Sequence, residues 1–312
     1  MAWLGAALIA RPVYAQRPRR RIVILSSGAN PDRPIFAAFR AELTALGHAD
    51  GDAVTIDLQL ASGSGDRLAS LARAIVADPP AVVVADGGNA AAVMRAATAD
   101  IPIVAIGGID STLRGLADTL ARPAGNVTGI TTYSVEVSVK QLELMTEMVP
   151  GARRVGVLGL QLPQQRSALD DVAVARHLSL AHLEARSLDE IRRSMSADVL
   201  APLQGLVVLQ NPALASIGAE IVAWANGRRC PAVFAEREYL AVGGLATYGV
   251  DFVAAYRRLA VYVDRVLRGA RPADLPIERP ERLELGINLR TARAIGLAIP
   301  PALLIRADTV VE

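Results

Sequence analysis

Short apolar runs alternate with amphipathic stretches along most of the chain. Ile22-Val23-Ile24-Leu25 has no polar position, which predicts a strand buried on both faces. It ends in Ser26-Ser27-Gly28, and Asp32 with Pro34 then suits a helix start. Phe36, Phe39, Leu43 and Leu46 recur at helical spacing, and Gly47 is placed to end that helix. Residues 54–58 alternate like a half-buried strand, and Leu68, Leu71, Ile75 and Val76 mark the next helix. Residues 81–85 are again wholly apolar and lead into Asp86-Gly87-Gly88-Asn89 and an alanine-rich helix. Ile103-Val104-Ala105-Ile106 closes this unit and runs into Gly107-Gly108-Ile109-Asp110-Ser111.

The second half repeats the plan. A helix carrying Val139, Leu142, Met145 and Met148 precedes a strand over 154–158. Strands follow over 206–209, ending in Gln210-Asn211-Pro212, and over 232–235, ending in Glu236. A helix around Ile217, Ile221 and Trp224 lies between them. Short strands alternating with helices predict parallel sheets covered on both faces. The expected fold class is therefore α/β, with two doubly wound parallel-sheet lobes and a central cleft. Pro123-Ala124-Gly125-Asn126-Val127-Thr128-Gly129 suits a first crossing between lobes, and Gly243-Gly244-Leu245-Ala246-Thr247-Tyr248-Gly249-Val250-Asp251 a second. Behind Asp251, Phe252, Tyr256, Leu259, Val263 and Val266 form one helix face, which Gly269 can end. Pro272, Pro276 and Pro280 make an extended connector to the tail. The lobes are drawn as 22–128 with 250–281 and as 129–249 with 282–312.

Composition narrows the functional class. The chain has 312 residues, 52% of them hydrophobic, enough for about two α/β domains. A net charge of +2 gives no strongly basic face, so nucleic acid is not an expected partner. A single cysteine, Cys230, excludes an intrachain disulfide and a multi-cysteine zinc site; before Pro231 it reads as a small buried hydrophobe. Residues 2–10 are a short apolar run, and Val13-Tyr14-Ala15 offers small residues at the −3 and −1 positions of a signal-peptidase site. Residues 1–15 are read as the tail of an export signal, which places the mature protein in the periplasm. No later segment is long and apolar enough to be read as a membrane span.

Catalytic templates are missing. There is no glycine-rich phosphate loop ending in lysine, no GxGxxG after a strand and no GxSxG. His48, His177 and His182 show no metal-ligand spacing. No cofactor or metal is expected. What remains is a set of polar strand ends, and parallel α/β sheets bind ligands beyond the carboxyl ends of their strands. In the first half these are Ser26, Ser27, Gly87, Gly88, Asn89, Asp110 and Ser111; in the second, Gln161, Gln210, Asn211, Glu236 and Asp251. Gly88 and Asn89 open a helix, whose free N–H groups suit a ligand carboxylate. Asp251 and Glu236 across the cleft suit an ammonium. Together the set fits a small zwitterion such as an amino acid. Each residue also has a plainer reading: Asn89, Ser111 and Asp251 as helix caps, Glu236 as a solvated loop charge. Tyr133, Tyr239 and Tyr248 are candidate stacking walls or ordinary packing.

Several segments resemble a known family. Gly125-Asn126-Val127-Thr128-Gly129, Pro231-Ala232-Val233-Phe234, Gly243-Gly244-Leu245 and Tyr248-Gly249-Val250-Asp251 are similar to marks of the bacterial ABC-transporter substrate-binding family that includes tryptophan- and tyrosine-type binding proteins. Residues 262–278, reading YVDRVLRGARPADLPIE, and 288–300, reading NLRTARAIGLAIP, resemble the same family's tail. The resemblance runs from about Ile22 to the end. It implies a type I periplasmic-binding-protein fold, no enzymatic activity, a small amino-acid-like ligand and delivery to an ABC permease in the membrane. The chain departs from the family pattern at Gly88-Asn89-Ala90, where Gly-Thr-Pro is usual, and at Asp110-Ser111, where Asp-Pro is usual. An amide thus replaces a hydroxyl at a ligand loop. A ligand-sensing module of the same fold and a doubly wound α/β enzyme are the alternatives.

Overall fold

The computed structural model describes residues 19–107, 120, 121, 123, 125–184, 188–196, 203–280 and 282–312. The expected export signal, Asp110 and Ser111 lie outside them. Strands β1 (Arg20–Ser26), β2 (Val54–Leu60), β3 (Val82–Asp86), β4 (Ile103–Gly107) and β5 (Val127–Thr131) form a parallel sheet in the order β2-β1-β3-β4-β5. The wholly apolar runs are its interior strands β1, β3 and β4, because helices cover both faces. The period of two sorts their side chains. Val23, Leu25, Val83 and Ala85 pack against α2 (Gly65–Ala77) and α3 (Gly88–Ala97). Ile22, Ile24, Val82 and Val84 face the other way, onto Ile35, Phe36, Phe39 and Leu43 of α1 (Pro34–Ala45).

The second sheet holds β6 (Arg154–Leu158), β7 (Ser179–Leu183), β8 (Gly205–Val208), β9 (Ala232–Phe234), β10 (Ala246–Val250), β11 (Leu283–Asn288) and β12 (Thr309–Val311). Its order is β12-β11-β10-β9-β8-β6-β7, with β11 antiparallel to β10. One face packs on α4 (Ser134–Met148) and α5 (Pro163–Ala175) through Leu142, Met145 and Leu169. The other packs on α6 (Leu188–Ser196), α7 (Pro212–Ser216), α8 (Gly218–Gly227) and α9 (Glu238–Ala241). The helix α10 (Phe252–Leu267) follows β10 but returns to the first lobe. Its face of Tyr256, Leu259 and Val263 is fully buried on α1 and the first sheet, with Tyr256 edge-on to Phe36 at 5.9 Å. The tail adds α11 (Leu289–Ile295) and α12 (Pro301–Arg306) to the second lobe, α11 capped by the Asn288 side chain on the Thr291 N–H at 3.0 Å.

Pairing places the crossings. β5 keeps Gly129, Ile130 and Thr131 in the first sheet and β10 keeps Val250 in the second, so both crossings fall slightly later than the boundaries drawn from sequence. Gly129 has φ +138°, and a Cβ there would overlap the Ala105 carbonyl on the neighbouring strand, so only glycine fits. The proline-rich connector stays with the first lobe: Thr131 N–H donates to the Glu278 carbonyl and Glu278 N–H to that of Gly129, both at 2.9 Å. The third crossing lies between Glu278 and the start of β11.

Candidate functional site

The carboxyl ends of the two sheets face each other. In the first lobe, Ser27 follows β1, and Gly87 N-caps α3 with φ +99°, a conformation that suits glycine. Asn89 is the second residue of α3 and makes no cap. In the second lobe, Asn211 N-caps α7, its side chain accepting from the Ala213 N–H at 2.8 Å. The lobes touch here. Ala29 N–H donates to Ser216 Oγ at 2.7 Å, and a Cβ on Gly87 would meet Pro212 at 3.3 Å.

Two chambers of about 170 and 70 Å³ remain in the closed cleft, sharing Ser27, Asn89, Leu160 and Asn211. Leu68, Ile191 and Leu214 wall the larger; Gly88, Ser134, Leu162, Gln165 and Gln210 line the smaller. No described residue lining either chamber is charged. Polar chemistry comes from amides, hydroxyls and the first N–H groups of α3, which lack intrahelical partners and attract an anion. Ser134 Oγ is buried with no hydrogen-bond partner among the described residues.

Sequence reasoning passed over Ser134, Leu160 and Gln165, whose side chains carry no motif, but included Gln210 among the polar strand ends. It also passed over Arg33, which is 5% exposed. Arg33 precedes α1 in the first lobe, yet its guanidinium donates to Glu236 and, at 3.2 Å, to Glu238, both in the second. Asp86, at the end of β3, lies 4.0 Å away. A cation at a helix N-terminus opposes the helix dipole, and that oddity was the one available signal. Burial works against the Arg33 charge, but Glu236, Asp86 and Glu238 outweigh it and raise its pKa above the ordinary value. Burial pushes the Glu236 carboxyl up to about 7, against the pull of Arg33.

Several expected ligand contacts therefore have other partners. Ser26 is buried and donates to Asp86 Oδ2 at 2.7 Å, away from the chambers. Glu236 is 2% exposed and held by Arg33, so it is neither a solvated charge nor open to a ligand ammonium. Asp251 caps α10, accepting from Ala254 N–H at 3.0 Å. It lines a separate cavity of about 410 Å³ beside the crossings, with Arg258, Glu278, Arg279, Arg282 and Glu284. The structure thus unites Ser27, Gly88, Asn89 and Asn211 and separates Asp251 from them. Tyr239 stacks on Phe234 at 4.4 Å inside the second lobe, and Tyr248 packs on that lobe's other core. Tyr133, at the first crossing, lies under Arg279 at 5.3 Å. None of the three lines the chambers.

The family model for ABC transporter substrate-binding proteins matches residues 33–311. The chain belongs to that family. It is a solute-binding protein, not an enzyme, and its two lobes have the type I periplasmic-binding-protein fold. The tyrosine-binding protein of Clostridioides difficile strain R20291 is 27% identical over 262 residues, covering 80% of this chain and 73% of that protein. An ABC domain from Streptococcus pneumonia, solved with L-Trp, superposes with a TM-score of 0.80 at 23% identity, over 93% of this chain and 100% of that one. The ligand-free, open form of a Clostridium difficile substrate-binding protein with adhesive properties gives 0.59 at 23% identity, over 94% and 99%. Among the described residues no helix is long and apolar enough to cross a membrane.

Proposed function

We propose that this substrate-binding protein is the periplasmic receptor of an ABC importer, and that it closes two hinged lobes on a small, apolar or aromatic amino-acid-like carboxylate. The observation that carries the reading is the N-terminus of α3, with Gly88 and Asn89, facing Asn211 across a cleft of uncharged, largely aliphatic walls. That surface favours a carboxylate at the helix end and an apolar body against Leu68, Leu160 and Leu214. A tyrosine-binding relative and a structural neighbour holding L-Trp support the ligand class. The higher similarity to the L-Trp complex than to the open, ligand-free protein supports hinged closure. With Glu236 and Asp251 otherwise engaged, no carboxylate for the ammonium remains among the described residues lining the chambers. The closed protein then docks on a membrane permease, and nucleic acid is no partner.

A thermal-shift screen tests this, since a ligand stabilises the folded state by mass action. L-tryptophan or L-tyrosine is expected to raise the melting temperature, and the matching amines without a carboxylate are not. Asn89→Ala is expected to weaken binding about fivefold, the worth of one exposed hydrogen bond. No shift with any amino acid, beside a clear shift with a sugar, overturns the reading.

A further inference from the structure

Arg33 has no role in the ligand chambers, yet it is among the most deeply buried charges described. Its partners divide by lobe. In its own lobe the described acid within reach is Asp86, at the long distance of 4.0 Å. Its closer partners, Glu236 and Glu238, stand at the end of β9 and the start of α9 in the other lobe. Tyr239 and Tyr256 complete the surroundings, and burial holds both phenols neutral by raising their pKa well above the ordinary value.

We propose that Arg33 is a latch between the lobes, a guanidinium carried by the first that enters an acidic socket on the second as the cleft shuts, and so sets how far the empty protein closes. It rests on the hinged-lobe reading above. In the closed form the pair is out of water, where charge-assisted hydrogen bonds are strong and an abandoned partner is costly. On opening, both sides regain water and the attraction fades. Without Arg33, closure would press Asp86 against Glu236 and Glu238, three carboxylates with no cation between them. The latch therefore converts a repulsive contact into an attractive one, with no ligand needed.

Double electron–electron resonance across the cleft mouth tests this on the full-length, ligand-free protein. Asp66→Cys on α2 and Asp189→Cys on α6 carry the spin labels. Both are exposed, and nearby Gly63 and Leu188 touch across the cleft. Cys230 is buried and stays unlabelled. The parent is expected to show mainly the short distance. Arg33→Gln should lower the ratio of short to long distances by about thirtyfold or more, the scale for breaking a buried charged pair across an interface. Should Arg33→Gln fail to fold, Glu236→Gln with Glu238→Gln decides, since both amides keep the shape of lobe two. Gly28→Leu is the control. A Cβ there would lie 2.9 Å from the Pro212 carbonyl, so a leucine wedges hinged lobes apart whatever the latch does. Opening in the charge variants supports the latch. Opening by the wedge alone overturns the latch and leaves the hinge standing. No movement in any variant overturns both.

Discussion

Asp251→Ala separates a helix cap from a ligand contact at this position. The carboxylate accepts the Ala254 N–H at 3.0 Å, satisfying one of the unpaired donors at the start of α10. Replacing such a cap by alanine costs about 1 kcal/mol. A negative charge at a helix N-terminus adds about 0.3–1 kcal/mol. The sum is about 1–2 kcal/mol, carried by a helix whose buried face docks on α1 and the first sheet. Asp251 lines the cavity at the crossings and neither cleft chamber. Ligand affinity should therefore change less than about twofold. Asp251→Asn keeps an acceptor of equal capping rank, so it should lose only the smaller charge contribution. Urea unfolding measures the first quantity and calorimetric titration, with whichever amino acid raises the melting temperature, the second. An affinity loss above tenfold with an unchanged urea midpoint would refute the reasoning and return Asp251 to the ligand site.

Burial raises the Glu236 carboxyl from its ordinary 4.5 to about 7 in the folded protein. Its contribution to stability is then full below about pH 4.5 and is lost as pH rises through 7, worth at most about 3 kcal/mol. The unfolding free energy of the parent minus that of Glu236→Gln should fall across this window, and a flat difference contradicts the assignment. Burial likewise pushes the Cys230 thiol up to about 11, with Arg228 pulling weakly the other way. A disulfide reagent at pH 8 should leave the native protein untouched and modify one equivalent in urea; fast native reaction would show an accessible thiol. Gly129→Ala forces a Cβ into the Ala105 carbonyl at a positive φ, so it should cost more than about 2 kcal/mol in urea unfolding. A stability equal to the parent would mean that β4 and β5 pair differently.

Local physics made much of the fold legible. Ile22-Val23-Ile24-Leu25 and residues 81–85 are apolar without interruption, and they are strands covered on both faces. The face of Tyr256, Leu259 and Val263 showed an amphipathic helix, and Asp251 ahead of it showed the cap. The cleft followed from a rule about sheet edges, which is why Ser27, Gly88, Asn89 and Asn211 were found together. These inferences need only neighbours within a few residues or one strand's alternation.

What the chain alone left open was which strand-end charges meet. Arg33 and Glu236 are 203 positions apart, and no period of 2 or 3.6 relates them. Their pairing follows from the docking of one lobe on the other, which removes water from both and makes each the other's nearest counter-charge. The fate of Asp251 was set in the same way: the path of α10 back to the first lobe turns its carboxylate to the crossings, away from Asn89. The sequence by itself determined the α/β layers and the polar strand ends that share one edge of each sheet. Only the tertiary structure decided which of those polar groups are free to receive a ligand, because a charge is consumed by whatever partner the packing brings within about 4 Å.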